Sequence, residues 1–338
     1  MLAVCCGVKR TVRKPARPTG VPHTRTGSWP SVSTERFASL VRPDLAGAEV
    51  GLLGLADDLG VRLNGGRAGA ADGPGAIRAA LGRYGVAEPA GIRWPVVGDA
   101  GDVVAAAGSG EAALARTHDR VVESAAHVAG RVALPIGLGG GHDLTYPFVR
   151  GVMQAKGKRG GRWAGVYFDA HLDVRPTVGS GMAFRKLIDE SGIGSLLVIG
   201  ANTLVNKREH AEWFAGHGGV YADDDLGERA MAGELDAEGI TEVLGEFDHL
   251  FVSFDLDVLD GSHAPGVSAV NPAGLSVREG ARLLSVLCQH PKLACVDIME
   301  LCPAHDEPAG GLGRTARVAA HMLLSAVQGW KVGRLLRG

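Results

Sequence analysis

Short apolar runs alternate with longer alanine-rich segments from residue 47 onward. Nearly every residue within a run is apolar, which is typical of strands that are covered on both faces. They predict eight strands, at residues 49–55, 92–97, 132–137, 163–168, 195–200, 220–222, 249–254 and 293–298. Helical periodicity is clearest at residues 111–128, 146–156, 277–289 and 315–327. This alternation predicts a single α/β domain at residues 35–338, with one parallel sheet between two layers of helices.

The first 34 residues differ from the rest of the chain in charge. They contain six basic residues and no acidic one, whereas the 338-residue chain has 35 basic and 37 acidic residues and a formal net charge of −2. The remainder is therefore near −8. Because the segment is also rich in Arg, Thr, Ser and Pro, residues 1–34 are expected to be a disordered basic extension without a role in the fold. A transit-like leader is the alternative.

The overall composition excludes several classes of protein. Hydrophobic residues make up 46% of the chain, enough for a substantial core. No run of about 18 apolar residues is free of charge, so no membrane span is expected. The small net charge argues against a nucleic-acid-binding protein. The five cysteines are odd in number and form no CxxC pair, which favours a reducing cytoplasm over a disulfide framework or a zinc ribbon.

Polar residues collect directly after four of the predicted strands. They are GGGHD at residues 139–143, DAHLD at 169–173, DLD at 255–257 with Asp260 beyond it, and Glu300. The carboxyl ends of parallel strands meet at one edge of a sheet, where ligands bind in folds of this class. The sequence therefore predicts a site at this edge.

The residue types at this edge indicate a metal centre. Alternation in extended backbone directs Asp169, His171 and Asp173 to one side, and it does the same for Asp255 and Asp257. Together with His142, the edge then has four carboxylates and two imidazoles. Four clustered carboxylates repel one another, and two divalent cations balance their charge. Oxygen ligands with two histidines favour Mn²⁺, with Zn²⁺, Fe²⁺ or Co²⁺ as alternatives. Each motif alone is as typical of an ordinary polar strand end, so the prediction depends on their joint occurrence.

The same motifs resemble those of the arginase–agmatinase family of ureohydrolases over roughly residues 47–328. The matching segments are GGGHD at 139–143, DAHLD at 169–173, SFDLDVLD at 253–260, APG at 264–266, ELCPAHD at 300–306 and RTA at 314–316. The resemblance implies a three-layer α/β/α sandwich around an eight-stranded parallel sheet, in agreement with the predicted strand count. It also implies two Mn²⁺ ions per chain.

The resemblance assigns the metal ligands position by position. One ion would be held by His142, Asp169, Asp173 and Asp255. The other would be held by Asp169, His171, Asp255 and Asp257. Asp169 and Asp255 would therefore bridge the two ions.

Finer features are similar to the formimidoylglutamase branch of this family. They are NGGRAGA at 64–70, DVRP at 173–176, SGMAFR at 180–185, GANT at 200–203 and APGVSA at 264–269. The chain departs from the branch at residues 182–183, where Thr-Pro is usual, and at Cys302, where Asn is usual. Residues 180–184 contain no histidine, which argues against an arginase.

The resemblance implies hydrolysis of N-formimidoyl-L-glutamate to L-glutamate and formamide. In that reaction two metal ions would lower the pKa of a shared water for attack on the sp² carbon of a C=N group. Asp173 is the expected proton shuttle, and Glu300 is expected to hold the cationic amidinium. Arg175 and Arg185 are the expected partners of the substrate carboxylates, because guanidinium groups bind carboxylates bidentately. The other predicted substrate contacts are Asn202, Arg67 and Asn64.

Several alternatives remain open from the sequence. The chain could be an agmatinase or another guanidino-acid ureohydrolase, although agmatine, a dication, is disfavoured by an arginine-lined pocket. It could be a metal-binding family member without catalysis, or a deacylase with a single zinc ion. The expected partner is a small-molecule substrate, without nucleic acid or membrane, in a homo-oligomer suggested by the family.

Overall fold

The computed structural model describes residues 11–12, 20–88, 92–157, 160–308 and 312–338. Eleven strands lie within these residues. They are β1 (Thr11–Val12), β2 (Thr24–Arg25), β3 (Val32–Ser33), β4 (Val50–Ala56), β5 (Val97–Val104), β6 (Leu134–Leu138), β7 (Trp163–Phe168), β8 (Ser195–Ile199), β9 (Gly219–Tyr221), β10 (His249–Asp255) and β11 (Leu293–Met299).

Nine of these strands form the central sheet, in the order β2-β5-β4-β6-β11-β10-β7-β8-β9. All neighbours are parallel except β2, which pairs antiparallel with β5 at the edge. The sheet therefore contains eight parallel strands, the number predicted, and one short antiparallel addition. Separately, β1 and β3 form a two-stranded antiparallel pair.

Helices cover both faces of the sheet. They are α1 (Leu59–Leu63), α2 (Gly73–Leu81), α3 (Glu111–Ala129), α4 (Thr145–Lys156), α5 (Ala183–Ser191), α6 (Arg208–Gly216), α7 (Leu226–Ala232), α8 (Ala237–Thr241), α9 (Val277–Leu287) and α10 (Arg314–Leu336). Helices α2, α7, α9 and α10 contribute to one hydrophobic core, and α3, α4, α5 and α6 contribute to the other. No helix of the described part of the chain has the length and hydrophobicity that a membrane crossing requires.

Alternation along the strands supplies both cores. In β10, Leu250, Val252 and Phe254 pack into the core that contains α9 and α10, and Phe251 packs into the core that contains α3 and α4. All four side chains are buried. A strand with apolar side chains on both faces reads as a continuous hydrophobic run, as the sequence pattern predicted.

The predicted strand at residues 92–97 is wrong, because the strand at this position is β5, Val97–Val104. This strand contains two acidic residues, Asp99 and Asp102, and its sequence therefore lacks the apolar run that marks the other strands. Arg78 in α2 donates hydrogen bonds to both carboxylates from a side chain with no solvent exposure. The Arg78 guanidinium pairs with the two carboxylates, whose negative charges would otherwise disfavour burial of this strand.

Part of the basic N-terminal segment belongs to the fold. Strand β2 extends the sheet at β5, Val21 is buried, and Trp29 Nε1 lies 2.5 Å from Asp99 Oδ2. The expectation that residues 1–34 have no role in the fold is therefore wrong for residues 20–34, because these residues supply backbone pairing and apolar packing. Residues 1–10 and 13–19 lie outside the described residues.

Candidate metal centre

Four adjacent strands, in the order β6-β11-β10-β7, bring the predicted polar residues to one edge of the sheet. His142 begins a short 3₁₀ turn after β6, and Asp169 follows β7. Asp255 is the last residue of β10, and Glu300 follows β11. The chain after β6 runs close to its neighbours: a Cβ on Gly140 would lie 2.1 Å from the carbonyl oxygen of Asp57. Glycine is therefore required there for His142 to reach the edge.

Three carboxylates converge on a single nitrogen of His142. Its Nδ1 lies 3.0 Å from Asp169 Oδ2, 3.1 Å from Asp173 Oδ2 and 3.0 Å from Asp255 Oδ2. One ring nitrogen carries at most one hydrogen, so it cannot donate to three oxygens. Nδ1 and Asp169 Oδ2 are buried, and neither has a hydrogen-bond partner in the described part of the structure.

A second group of ligand-type atoms shares Asp169 with the first. His171 Nδ1 lies 3.3 Å from Asp169 Oδ1 and 3.0 Å from Asp257 Oδ2. Asp169 therefore presents one oxygen to each group, which is the arrangement expected of a bridging carboxylate. The contact of Asp255 is to the His142 group, and its Oδ1 accepts a hydrogen bond from the Asp257 N–H over 2.8 Å. Its bridging role stays a prediction.

The electrostatics of the cluster favour cations. Burial and the neighbouring carboxylates of Asp173 and Asp257 raise the pKa of Asp169 to about 6. Burial, Asp257 and Asp169 likewise raise the pKa of Asp255 well above its usual range. Burial opposes protonation of His171, but the carboxylates of Asp257 and Asp169 override it and raise its pKa to about 12. The four carboxylates outnumber the two imidazoles of the cluster, and divalent cations would balance the excess negative charge.

The donor separations also fit metal ions. Adjacent ligand atoms around an octahedral ion with bonds of about 2.1 Å lie about 3 Å apart, and the His142 contacts are 3.0–3.1 Å. Carboxylate oxygens with imidazole nitrogens suit Mn²⁺ better than thiolate-preferring metals. The residues present therefore fit two divalent cations of the manganese type.

Two residues behind His142 were not predicted to have a role. The Nε2 atom of His142 lies 3.0 Å from Ser253 Oγ, and Ser253 Oγ donates to Asp297 Oδ1 over 2.5 Å. This chain of hydrogen bonds directs Nδ1 toward the carboxylates and selects the ring tautomer. Asp297 is the only charged residue in β11, and a charge in the middle of a buried strand was the signal available in the sequence.

Both predicted catalytic residues have left-handed backbone. Among the described residues, three non-glycine residues have positive φ, and two of them are Asp173 (φ 47°) and Glu300 (φ 65°). Such conformations are costly for residues with a Cβ, and they concentrate at functional sites. At Glu300, Oε1 accepts the N–H of His142 over 2.8 Å, while the buried Oε2 has no hydrogen-bond partner in the described structure. Burial raises the pKa of Glu300 to about 8.

Five of the six predicted metal-ligand side chains, all but Asp169, line a cavity of about 140 Å³, and two of the predicted substrate residues, Asn64 and Arg175, line it as well. The cavity is also lined by Ser180, Ser268 and Glu300. Arg175 is exposed, and its guanidinium forms no ion pair within the described residues. It is therefore available to an anionic ligand at the cavity mouth.

The other three predicted substrate residues do not line this cavity. The Arg185 guanidinium lies 4.4 Å over the Trp213 ring and 3.5 Å from Asp189 Oδ2. Asn202 lines a separate cavity beyond β8 and β9, and Arg67 binds backbone carbonyls. Sequence reasoning placed these residues near the substrate because they lie in the right loops, but their side chains have protein partners.

Comparison with known proteins agrees with this fold and site. The arginase family profile matches residues 48–328. A formimidoylglutamase from Geobacillus thermodenitrificans is 32% identical, over 89% of this chain and 94% of its own length. The crystal structure of Trypanosoma cruzi formiminoglutamase with Mn²⁺ has a TM-score of 0.73 at 29% identity, over 84% of this chain and 94% of that one. The structure of proclavaminate amidino hydrolase from Streptomyces clavuligerus has a TM-score of 0.74 at 28% identity, over 89% of this chain and 98% of that one. The α/β fold predicted from the sequence is confirmed, and the chain belongs to the arginase family.

Proposed function

We propose that the chain is a binuclear manganese hydrolase that cleaves N-formimidoyl-L-glutamate to L-glutamate and formamide, a reaction of histidine degradation. The proposal is supported by the named relatives, several of which are formimidoylglutamases that match most of the chain. The observation that carries it is the convergence of His142, Asp169, Asp173 and Asp255 beside Glu300 and Arg175.

The residues that would hold the two ions are those of the two groups around Asp169. They are His142, Asp169, Asp173 and Asp255 for one ion, and Asp169, His171, Asp255 and Asp257 for the other. When bound, such ions supply water that is activated for attack at neutral pH.

The protein residues orient the substrate and move its protons. The free Oε2 of Glu300 accepts an N–H of the substrate amidinium in a charge-assisted hydrogen bond, which places the C=N carbon against the metal groups. Asp173 lines the same cavity and carries a proton to the leaving amine nitrogen of glutamate. Arg175, which lines the same cavity, binds a substrate carboxylate.

Charge balance favours this substrate over a dication. The four aspartates offset two divalent cations, which leaves Glu300 to match one amidinium charge and Arg175 to match one carboxylate. Agmatine would place a second positive charge near Arg175 instead.

The test is a substrate panel with Mn²⁺ supplied. Formimidoylglutamate, agmatine, arginine and 4-guanidinobutyrate are offered separately, and formamide, urea and glutamate are quantified. We expect formamide and glutamate in equal amounts from formimidoylglutamate, at a kcat/KM well above the others. Turnover of agmatine without turnover of formimidoylglutamate would contradict the proposal.

A guanidino acid is the second candidate substrate, because of the structural similarity to proclavaminate amidino hydrolase. Arg175 would bind the carboxylate of such a substrate equally well. Urea release from 4-guanidinobutyrate, at a rate above formamide release from formimidoylglutamate, would favour this alternative. Two bound Mn²⁺ ions without turnover of any of the four compounds would favour a silent family member, and one metal ion per chain would favour a deacylase.

We place the enzyme in the cytoplasm and propose that it is a homo-oligomer. The free thiols of Cys288, Cys295 and Cys302 support a reducing compartment. The oligomeric state follows from family resemblance alone, and light scattering of the purified protein tests it.

A further inference from the structure

One short turn after α1 contacts both walls of the substrate cavity. This turn, residues 64–67, carries Asn64 at one end and Arg67 at the other. Asn64 binds the wall that contains Ser180, and Arg67 binds the wall that contains Ser268. Both serines line the cavity with Glu300.

Asn64 anchors the first wall through its amide oxygen. The hydrogen-bonding environment orients this oxygen toward the loop, where it accepts from the Ser180 hydroxyl over 2.9 Å, the Ser180 N–H over 3.2 Å and the Gly181 N–H over 2.9 Å. The loop packs directly on the amide: a Cβ on Gly179 would lie 2.1 Å from the Asn64 side chain. On its other side, the loop is tied by the Arg175 N–H, which donates to the Gly181 carbonyl over 2.7 Å.

Arg67 anchors the second wall through its guanidinium. Nε donates to the Ser268 carbonyl over 3.1 Å, and Nη2 donates to the carbonyls of Val267 and, over 3.4 Å, Pro265. Three carbonyls of one loop are thus held by one planar group, which determines the direction of the chain at Ser268. Nε and Nη2 are therefore directed toward these backbone carbonyls.

Backbone hydrogen bonds fix the turn to the end of α1. The N–H groups of Gly65 and Gly66 donate to the carbonyls of Arg62 and Val61 over 3.0 and 2.9 Å. Beyond the turn, the Ala68 carbonyl accepts from Cys302 Sγ over 3.2 Å. The thiol at the position where the family usually has Asn therefore still donates to this loop. A turn fixed at both ends transmits the position of one wall to the other.

We propose that Asn64 and Arg67 are positioning residues that set the width of the cavity and thereby select the length of the substrate's acidic tail. The inference rests on the proposed function. It replaces the predicted direct contact of Arg67 with the substrate by an indirect one through the Pro265–Ser268 backbone.

The test compares two substrates whose tails differ by one methylene group, N-formimidoylglutamate and N-formimidoylaspartate. The variants are Asn64→Ala, Arg67→Ala and Arg67→Lys, each in the full chain with Mn²⁺. Arg36→Ala is the matched control, because Arg36 Nη1 also donates to a carbonyl, that of Arg83, over 2.9 Å, but outside the cavity. KM, kcat, the melting temperature and the manganese content are measured for each.

We expect KM for formimidoylglutamate to rise about tenfold in each alanine variant, the effect of losing one hydrogen-bonded anchor. We expect the preference for the longer tail to fall by a similar factor, while kcat, melting temperature and two Mn²⁺ per chain are retained. Arg67→Lys keeps a charged donor and is expected to lie between Arg67→Ala and the parent. Arg36→Ala is expected to match the parent.

Unchanged KM and tail preference in both alanine variants would overturn the inference. A loss of kcat together with manganese would overturn it as well, because it would show that the turn supports the metal centre rather than the substrate tail. If Arg67→Ala does not fold, KM and tail preference are taken from Arg67→Lys, the milder change, and unchanged values in that variant would overturn the inference. Failure of the proposed function is a separate result: the parent would not hydrolyse formimidoylglutamate. The comparison is then made with 4-guanidinobutyrate and its homologue shorter by one methylene group.

Discussion

The backbone N–H of His142 donates to Glu300 Oε1 over 2.8 Å. A residue of the candidate metal centre and the carboxylate proposed to hold the amidinium are thereby joined across neighbouring strands β6 and β11. The hydrogen bond occupies one Glu300 oxygen and leaves the other without a partner in the described structure. The position of the carboxylate that we propose to bind the substrate is thus coupled to the candidate metal centre.

We expect Glu300→Gln to lower kcat/KM for formimidoylglutamate by about 10- to 100-fold, the range for a lost charge-assisted hydrogen bond. The amide oxygen of Gln still accepts the His142 N–H, so the two Mn²⁺ ions are expected to stay bound. Steady-state kinetics and metal analysis by mass spectrometry on one preparation check both outcomes. Parent-like kinetics in this variant would remove Glu300 from the mechanism.

The shared carboxylate predicts unequal effects on metal content. Asp169→Asn alters both ligand groups and is expected to reduce manganese below one ion per chain, because Asp169 presents an oxygen to each histidine. Asp257→Asn touches the His171 group and is expected to leave one ion. Metal analysis after dialysis against limiting Mn²⁺ distinguishes the two variants. Equal losses would show that Asp169 does not bridge.

The hydrogen bonds behind His142 predict weaker metal binding without loss of a ligand. Ser253→Ala removes the partner of His142 Nε2 and the hydroxyl that donates to Asp297, so we expect a 10- to 100-fold weaker affinity for Mn²⁺. Calorimetric titration of the metal-free protein measures this affinity. Ser325→Ala is the matched control, because Ser325 Oγ donates to the His321 carbonyl within α10. Equal affinities in the two variants would contradict the role of Ser253.

The buried ion cluster of Arg78 predicts a large effect on stability. Arg78→Ala leaves Asp99 and Asp102 without their cation in a buried strand, and we expect the free energy of unfolding to fall by about 3–5 kcal/mol. Denaturant unfolding with Mn²⁺ held constant measures the change. Arg83→Ala, at an exposed position nearby, is expected to change it by less than about 0.5 kcal/mol. A small effect of Arg78→Ala would mean that water reaches the carboxylates.

His290 predicts a pH dependence of stability away from the metal centre. Burial and the positive charges of Lys292 and Arg337 lower its pKa to about 4, and its Nδ1 accepts the Lys292 N–H over 3.0 Å. The unfolded chain, with a pKa near 6.5, therefore binds more protons between pH 6.5 and 4. The contribution of His290 is fully present above pH 6.5 and is lost as the pH falls through this range, by at most about 3 kcal/mol.

His290→Asn removes the titrating group and keeps a hydrogen-bond acceptor. We expect its stability to fall less steeply than that of the parent between pH 6.5 and 4. Denaturant unfolding at a series of pH values checks this. The difference in unfolding free energy between the two proteins removes the contributions of the titrating groups that they share. Parallel curves would contradict the assignment.

The sequence by itself determined the parallel sheet and the polar residues that meet at the carboxyl ends of its strands. Parallel strands buried on both faces read as apolar runs, and all parallel strands end at the same edge, so His142, Asp169, Asp255 and Glu300 were expected to meet there. These are properties of regular parallel strands, which a sequence pattern records. The extended alternation predicted within DAHLD and DLD was wrong, because residues 169–173 follow the end of β7, Asp173 has left-handed backbone and residues 256–258 form a 3₁₀ turn.

Tertiary structure alone decided where long side chains find partners. Asp99 and Asp102 are buried in β5 because Arg78 of α2 donates hydrogen bonds to both carboxylates. The Arg67 guanidinium donates to backbone carbonyls that lie some 200 positions further along the chain. Arg185 stacked on Trp213 instead of facing the cavity. A flexible cationic side chain reaches several ångströms in any direction, and its partner is set by which segments the fold brings near it. Local periodicity carries no record of that choice.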